Sequence, residues 1–261
     1  MYKPIQPYHL LDEDFWEKMS YVETKIPELE EVLDCMWELG YKDGVAETNT
    51  SVEIPDGCAE IVVSVHGKAI VWGIFSRSYF GMEFPIGEKY IGLRVKPGVF
   101  HEMTGVSTAT ITDVMTPITD IDASFDLDGF FKLEYEDMKT FLVGYLSELQ
   151  QKIQTFEWIH LFDALYEQKF YDTTELYDYL NLSPRQIQRL FKKHYGLTPQ
   201  LVLTIIKFQF CVAKLLSEGS GRNELLALYY DQSKFNNEFK KHLGITPLEF
   251  VKLNKKRRMS L

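Results

Sequence analysis

Cysteine is scarce and scattered: Cys35, Cys58 and Cys211 are the only three in 261 residues, and none stands in CxxC spacing. An odd count without that spacing excludes a disulfide framework and a cysteine zinc site, so the thiols are expected to be buried. No apolar run is long enough to span a bilayer. The start, MYKPIQPYHLLDEDFW, lacks the basic-then-apolar order of a secretory signal. A soluble, cytoplasmic protein with no membrane partner is the expectation. There is no Walker loop, no GxGxxG, no Ser/His/Asp set and no His-x-His pair, which leaves no catalytic constellation to name. The chain is therefore read as not an enzyme, with no cofactor and no metal. Positive charge is also in deficit, with 28 Lys/Arg against 38 Asp/Glu.

That deficit is not uniform. From Thr173 to the end there are 15 Lys/Arg against 7 Asp/Glu, a net of +8, whereas the preceding residues hold 13 against 31, a net of −18. A basic domain behind an acidic one is the electrostatic footprint of a nucleic-acid reader. The tail Lys255-Lys256-Arg257-Arg258 could reach phosphates or stay frayed in solvent.

The basic part contains an internal repeat at an offset of 48 residues: SPRQIQRLFKKHYGLTP at 183–199 returns as DQSKFNNEFKKHLGITP at 231–247. One structural unit is used twice. Each copy reads as a short helix with a polar start, an apolar stripe and a terminating Gly before Thr-Pro. In the first, Ile187, Leu190 and Phe191 share a face and leave Arg185, Gln188, Arg189 and Lys192 outside it. An earlier helix, residues 174–180, joins it through Asn181-Leu182, where Asn tolerates a left-handed turn. Helix, short turn and a helix with an exposed Arg/Gln face make a helix-turn-helix, whose second helix enters the major groove. Residues 199–217 read as one connecting helix between the copies.

These residues resemble the DNA-binding domain of the AraC/XylS family of transcription regulators over residues 157–252, most closely in the two repeated segments. The resemblance implies double-stranded DNA as partner. It places the base-reading positions on Arg185, Gln188 and Arg189 in the first unit and on Gln232, Ser233, Asn236 and Asn237 in the second. The second unit departs from the family pattern: Glu224 and Leu228 stand where a small residue and Gly are usual, and Asn237 where Arg is frequent. A weakly specific second reader follows from that.

The first domain is expected to be sheet-rich, with strands at 59–65, 69–75, 90–95 and 109–114 after a polar, acidic opening. Spacing of this kind favours a small barrel or sandwich. IPDGCAEIVV, IGLRVKPGVF and ITDVMTPITDID resemble, more distantly, the cupin-like sensor domain of one branch of the same family. The fold class is thus α+β: a sensor β-barrel at 1–134, a linker or dimerisation helix at 135–156, and an all-α double helix-turn-helix domain at 157–261. A metal-binding cupin would use His and Glu, yet His66, Glu60, His101 and Glu102 are poorly spaced for it and His66 sits in a turn. Trp72, Tyr79, Tyr90, Arg94 and His101 are the candidates to face an effector. The stripe Leu142, Leu146, Leu149 and Ile153 suits either a dimer seam or packing on the sensor. A small-molecule effector, RNA polymerase and a second copy of the chain complete the expected partners. A protein-interaction regulator with a degenerate reader, or a cupin-type metalloenzyme, are the alternatives.

Overall fold

The computed structural model describes residues 2–6, 14–48, 50–76, 80–218 and 232–258. The described residues of the first half hold the strands β1 (Met19–Thr24), β2 (Leu33–Tyr41), β3 (Thr50–Glu53), β4 (Ala59–Ser64), β5 (Lys68–Trp72), β6 (Phe80–Glu83), β7 (Lys89–Val95) and β8 (Met115–Pro117). Six form an antiparallel sheet in the order β1-β2-β7-β4-β5-β8, and β3 pairs with β6. Helices follow: α1 (Val99–Thr104), between β7 and β8, then α2 (Tyr135–Gln150), α3 (Glu157–Glu167), α4 (Thr173–Leu180), α5 (Pro184–Tyr195), α6 (Pro199–Glu218), α7 (Gln232–Leu243) and α8 (Pro247–Arg258). The α+β class and the order of a sheet-rich part before a helical part are as the sequence predicts.

Strands β4, β5 and β7 fall where alternation and β-branched residues predict them. Two differences have physical causes. The opening, merely polar and acidic in sequence, supplies β1 and β2. The edge strand β1 exposes most of its side chains, so acidic and polar residues are at home there, and β2 beside it is almost wholly buried. The segment 109–114, β-branched and expected as a strand, instead forms a short 3-10 turn at Thr108–Thr110 and a bend, with β8 starting after it. Tertiary contacts override propensity here: Asp113 adopts φ 60° and accepts a bond from the Ser76 N–H at 2.8 Å, while Thr108 and Thr112 bond to the helical part.

The period-2 geometry of the strands gives the sheet two unlike faces. One carries Ile61, Val63, Val71, Ile91, Leu93 and Val95 and is covered by Met138, Leu142, Leu146 and Leu149 of α2. Leu142 and Leu146 are fully buried within the chain, so this part of the stripe packs on the sheet and is not a free seam for a second copy. The other face carries Trp37, Leu39, Val62 and Trp72, capped by Phe15 and Phe84. Gly92 of β7 is required on this face, because a Cβ there would lie 2.0 Å from the Trp37 ring.

By length and composition α6 is apolar enough to cross a membrane, against the expectation from the sequence. Its apolar residues, among them Val202, Ile205, Phe208 and Val212, are buried against protein. That is the behaviour of a core helix linking two units.

Candidate nucleic-acid interface

The first helix-turn-helix is built by local signals that agree with one another. The Asp172 side chain caps α4 by accepting from the Thr174 N–H at 2.7 Å, and Asn181 closes the helix at φ 50°, ψ 39°. Ser183 and Gln186 then form a reciprocal capping box at the start of α5, with Pro184 in the first turn. Gly196 ends α5 in the left-handed conformation. Leu176, Ile187 and Phe191 are fully buried between the two helices and their supports. Arg185, Gln188, Arg189 and Lys192 remain exposed, as a reading face must be.

The described residues of the second unit begin at α7. Phe235, Phe239 and Leu243 of α7 bury against Phe208, Val212 and Leu215 of α6 and Phe250 of α8. Thr246 and Glu249 form the capping pair of α8, whose helix runs on to Arg258 and so carries the basic tail on helical backbone. Ser233 and Asn237 are exposed and Asn236 is half-buried; Gln232 opens α7. Glu224 and Leu228, with the approach from Ser220 to Asn223, lie outside the described residues.

The sheet-rich and helical parts share one core, which no local pattern in the sequence reveals. Residues of α3, α5 and α6 belong to the same apolar cluster as the sheet and α2. Thr108 donates to the His194 carbonyl at 2.9 Å and Thr112 to the Gly196 carbonyl at 3.1 Å, which fastens the C-terminal end of α5 to the sheet-rich part. The N-terminal segment adds the Tyr2 N–H on Asp163 at 2.6 Å, and Gln209 of α6 bonds to Ile5 and to the Pro55 carbonyl at 3.1 Å. The C-terminal end of α5 is thereby covered while its N-terminal reading face stays open. Tyr195, standing where the second copy has Leu243, ties α5 to α3 within the helical part, its hydroxyl donating to the Trp158 carbonyl at 2.5 Å.

The effector candidates divide. Strand register places Tyr90 and Arg94 on one face of β7. Trp72 lies opposite Glu60, which pairs with Arg94, so all three line the aromatic face. Arg94 is 1% exposed and sits among carboxylates: Glu60 at 2.9 Å, Glu23 at 3.1 Å, Asp34 at 3.8 Å and Asp56 at 4.0 Å. Burial pushes the Asp56 carboxyl up to about 6, against the pull of the Arg94 charge. For Glu23 burial acts upward too, but bonds from Tyr21 and Arg94 hold it below its ordinary value. The Trp37 Nε1 donor and the Glu60 Oε2 acceptor are buried without hydrogen-bond partners among the described residues, and sequence reasoning missed Trp37. Tyr79 lies outside the described residues. His101 is elsewhere, on α1 at the junction with α5.

His66 and Glu60 do not join His101 and Glu102: His66 pairs with Glu88 at 3.1 Å in its turn, and Glu60 is committed to Arg94. A cupin-style set made from those four residues is absent.

A helix-turn-helix at α4 and α5, joined by the long buried helix α6 to α7, with α5 and α7 each presenting a polar, partly basic face, is the architecture of a DNA-binding protein. Family models agree: a helix-turn-helix domain matches residues 176–253, and a domain of unknown function (DUF6597) matches residues 26–117. The match at residues 176–253 is a helix-turn-helix domain of the AraC type, which supports the resemblance to the AraC/XylS transcription regulators. No curated protein matches it. Among solved structures it is similar to ToxT from Vibrio cholerae O395, with TM-score 0.40 and 11% identity over 79% of this chain and 97% of the other. Two ToxT structures from strain SCE256 match with TM-score 0.39. An apo variant is 12% identical, covering 90% of this chain and 96% of that one. The unsaturated-fatty-acid-bound wild type is 11% identical, covering 90% and 93%. The likeness is loose, and the reading of the helical part rests on the repeated motif and the helix-turn-helix match.

Proposed function

We propose that this DNA-binding transcription regulator is cytoplasmic, acts without catalysis, and is controlled by a small molecule bound in a cupin-like N-terminal sensor. The observation that carries the DNA-reading part is the open face of Arg185, Gln188 and Arg189 on α5, echoed by Ser233 and Asn237 on α7. The sensor part rests on the aromatic face of the sheet. There, one guanidinium faces four carboxylates, and two buried polar atoms, Trp37 Nε1 and Glu60 Oε2, lack partners among the described residues. A ligand that offers an acceptor to Trp37 and a donor or positive charge to Glu60 would satisfy both, removing a penalty of about 1–3 kcal/mol for each orphaned group. Binding would then bias the docked arrangement of sensor and reader, because any ligand with unequal affinity for two arrangements shifts their populations.

The test pairs native mass spectrometry of the purified chain with gel shifts on the DNA upstream of its own gene at two salt concentrations. A co-purifying small molecule, and sequence-dependent binding that weakens steeply with salt, are the expected results. Binding that ignores sequence would favour a protein-interaction regulator with a degenerate reader.

A further inference from the structure

The docked end of α5 brings together three residues that no sequence motif joins. His194 lies in its last turn, and His101 and Glu102 lie on α1 of the sensor part. His194 Nδ1 is 2.8 Å from Glu102 Oε1, yet both atoms are buried and neither has a hydrogen-bond partner, because the contact lacks hydrogen-bond alignment. His194 itself is 4% exposed. The His101 ring meets the His194 ring edge-on at 4.8 Å. One ligand-capable atom from each of the three lies within 4.8 Å of the others.

The tautomer of His101 favours a ligand role. Its Nδ1 is 2.9 Å from the Val106 carbonyl, which can only accept, so Nδ1 carries the hydrogen and Nε2 presents its lone pair. A backbone carbonyl that fixes the tautomer in this way is the usual support of a metal-ligating imidazole. His194 is held in place by stacking on Trp158, ring centroids 4.2 Å apart and 10° from parallel. Two imidazoles and one carboxylate suit a borderline cation of the zinc type and not the all-oxygen preference of magnesium or calcium. A cation there would satisfy both orphaned atoms at once.

We propose that His101, Glu102 and His194 bind a zinc-type divalent cation that staples the first helix-turn-helix unit to the sensor domain. Two ligands come from the sensor and one from the recognition helix, so the metal binds the docked arrangement in preference to any undocked one. By linkage it stabilises that arrangement. The cation leaves Arg185, Gln188 and Arg189 uncovered, which makes it a brace that holds the reader and not a plug on its DNA face. This departs from the sequence expectation of no metal, which weighed His101 and Glu102 only against other residues of the sensor.

The experiment uses the full chain stripped with a chelator and titrated with Zn²⁺ by calorimetry, with Co²⁺ as a spectroscopic probe and Mg²⁺ as control. One Zn²⁺ per chain, visible Co²⁺ bands of a low-coordination site and no Mg²⁺ binding are expected. His101→Gln and His194→Gln should each weaken Zn²⁺ binding at least about ten-fold, as loss of one of three ligands would, while His66→Gln leaves it unchanged. Because His194→Gln removes a buried ring and could impair folding, the half-buried His101→Gln is the deciding variant. Zn²⁺ should also slow proteolysis of residues 151–156, between sensor and reader, in the parent and not in His101→Gln. No saturable Zn²⁺ binding, binding unaltered in His101→Gln, or binding without protection of that segment would each overturn the proposal.

Discussion

Gly196 offers a substitution in which the docking of the helical part on the sheet-rich part can be separated from the backbone chemistry of a helix end. It closes α5 at φ 71°, ψ −7°, and a Cβ there would lie 2.3 Å from Thr112 Oγ1 and 2.9 Å from the Thr108 carbonyl oxygen. Gly105 closes α1 at φ 72°, ψ −9°, and a Cβ added there would meet nothing within 4 Å. Alanine at either site carries the same left-handed penalty of about 1–2 kcal/mol, so that part cancels in the comparison. What remains at Gly196 is the clash with backbone, typical of overpacking at about 1–3 kcal/mol, together with the Thr112 bond to the Gly196 carbonyl, worth about 0.5–1.5 kcal/mol. Gly196→Ala is therefore expected to destabilise the chain by about 1.5–4.5 kcal/mol more than Gly105→Ala in urea unfolding. It should also raise the radius of gyration by small-angle scattering. Equal losses at the two sites with unchanged dimensions would refute the docked arrangement.

Leu146 is fully buried under the sheet, so Leu146→Ala should lower stability by about 2–5 kcal/mol with no change in assembly mass; a halved mass at unchanged stability, by ultracentrifugation and denaturation, would restore the dimer seam. Asp56 titrates near 6 in the folded chain, above the ordinary 3.8. The folded state therefore holds its proton more tightly, and the stability this contributes is full below the unfolded value and lost as pH rises from about 4 to 6. Asp56→Asn should flatten that part of the pH-stability curve, and an unchanged slope would contradict the buried-carboxylate account.

The first helix-turn-helix unit is legible in the sequence because it is specified within a few residues. Asn181 at the turn and Gly196 at the end each take a left-handed conformation that few other residues adopt, and Ser183 with Pro184 starts α5 through a capping box with Gln186. Strands β4, β5 and β7 are legible for a similar reason, since β-branched runs bounded by turn residues leave a local pattern. Contacts between distant segments leave none. Thr108 and Thr112 look like strand residues until His194 and Gly196 arrive to accept their hydroxyls. His101 and Glu102 look unpartnered for the same reason, their third member lying in the reader. The α2 stripe could not reveal its own partner: an apolar face has the same spacing whether it covers a sheet or a second copy.

DNA recognition turns on whether α5 reads bases. Full-length protein should be used to select duplexes from a random DNA pool, and Arg189→Ala and Asn237→Ala then compared on a selected duplex and on scrambled DNA of equal length. Arg189 is exposed on the reading face and can make paired bonds to guanine, so its loss should reduce discrimination between the two DNAs by about 1–3 kcal/mol. Asn237→Ala should alter it much less, and scrambled DNA should register little change from either. Failure to enrich any sequence, or an Arg189→Ala loss equal on both DNAs, would contradict the claim that this helix carries the specificity.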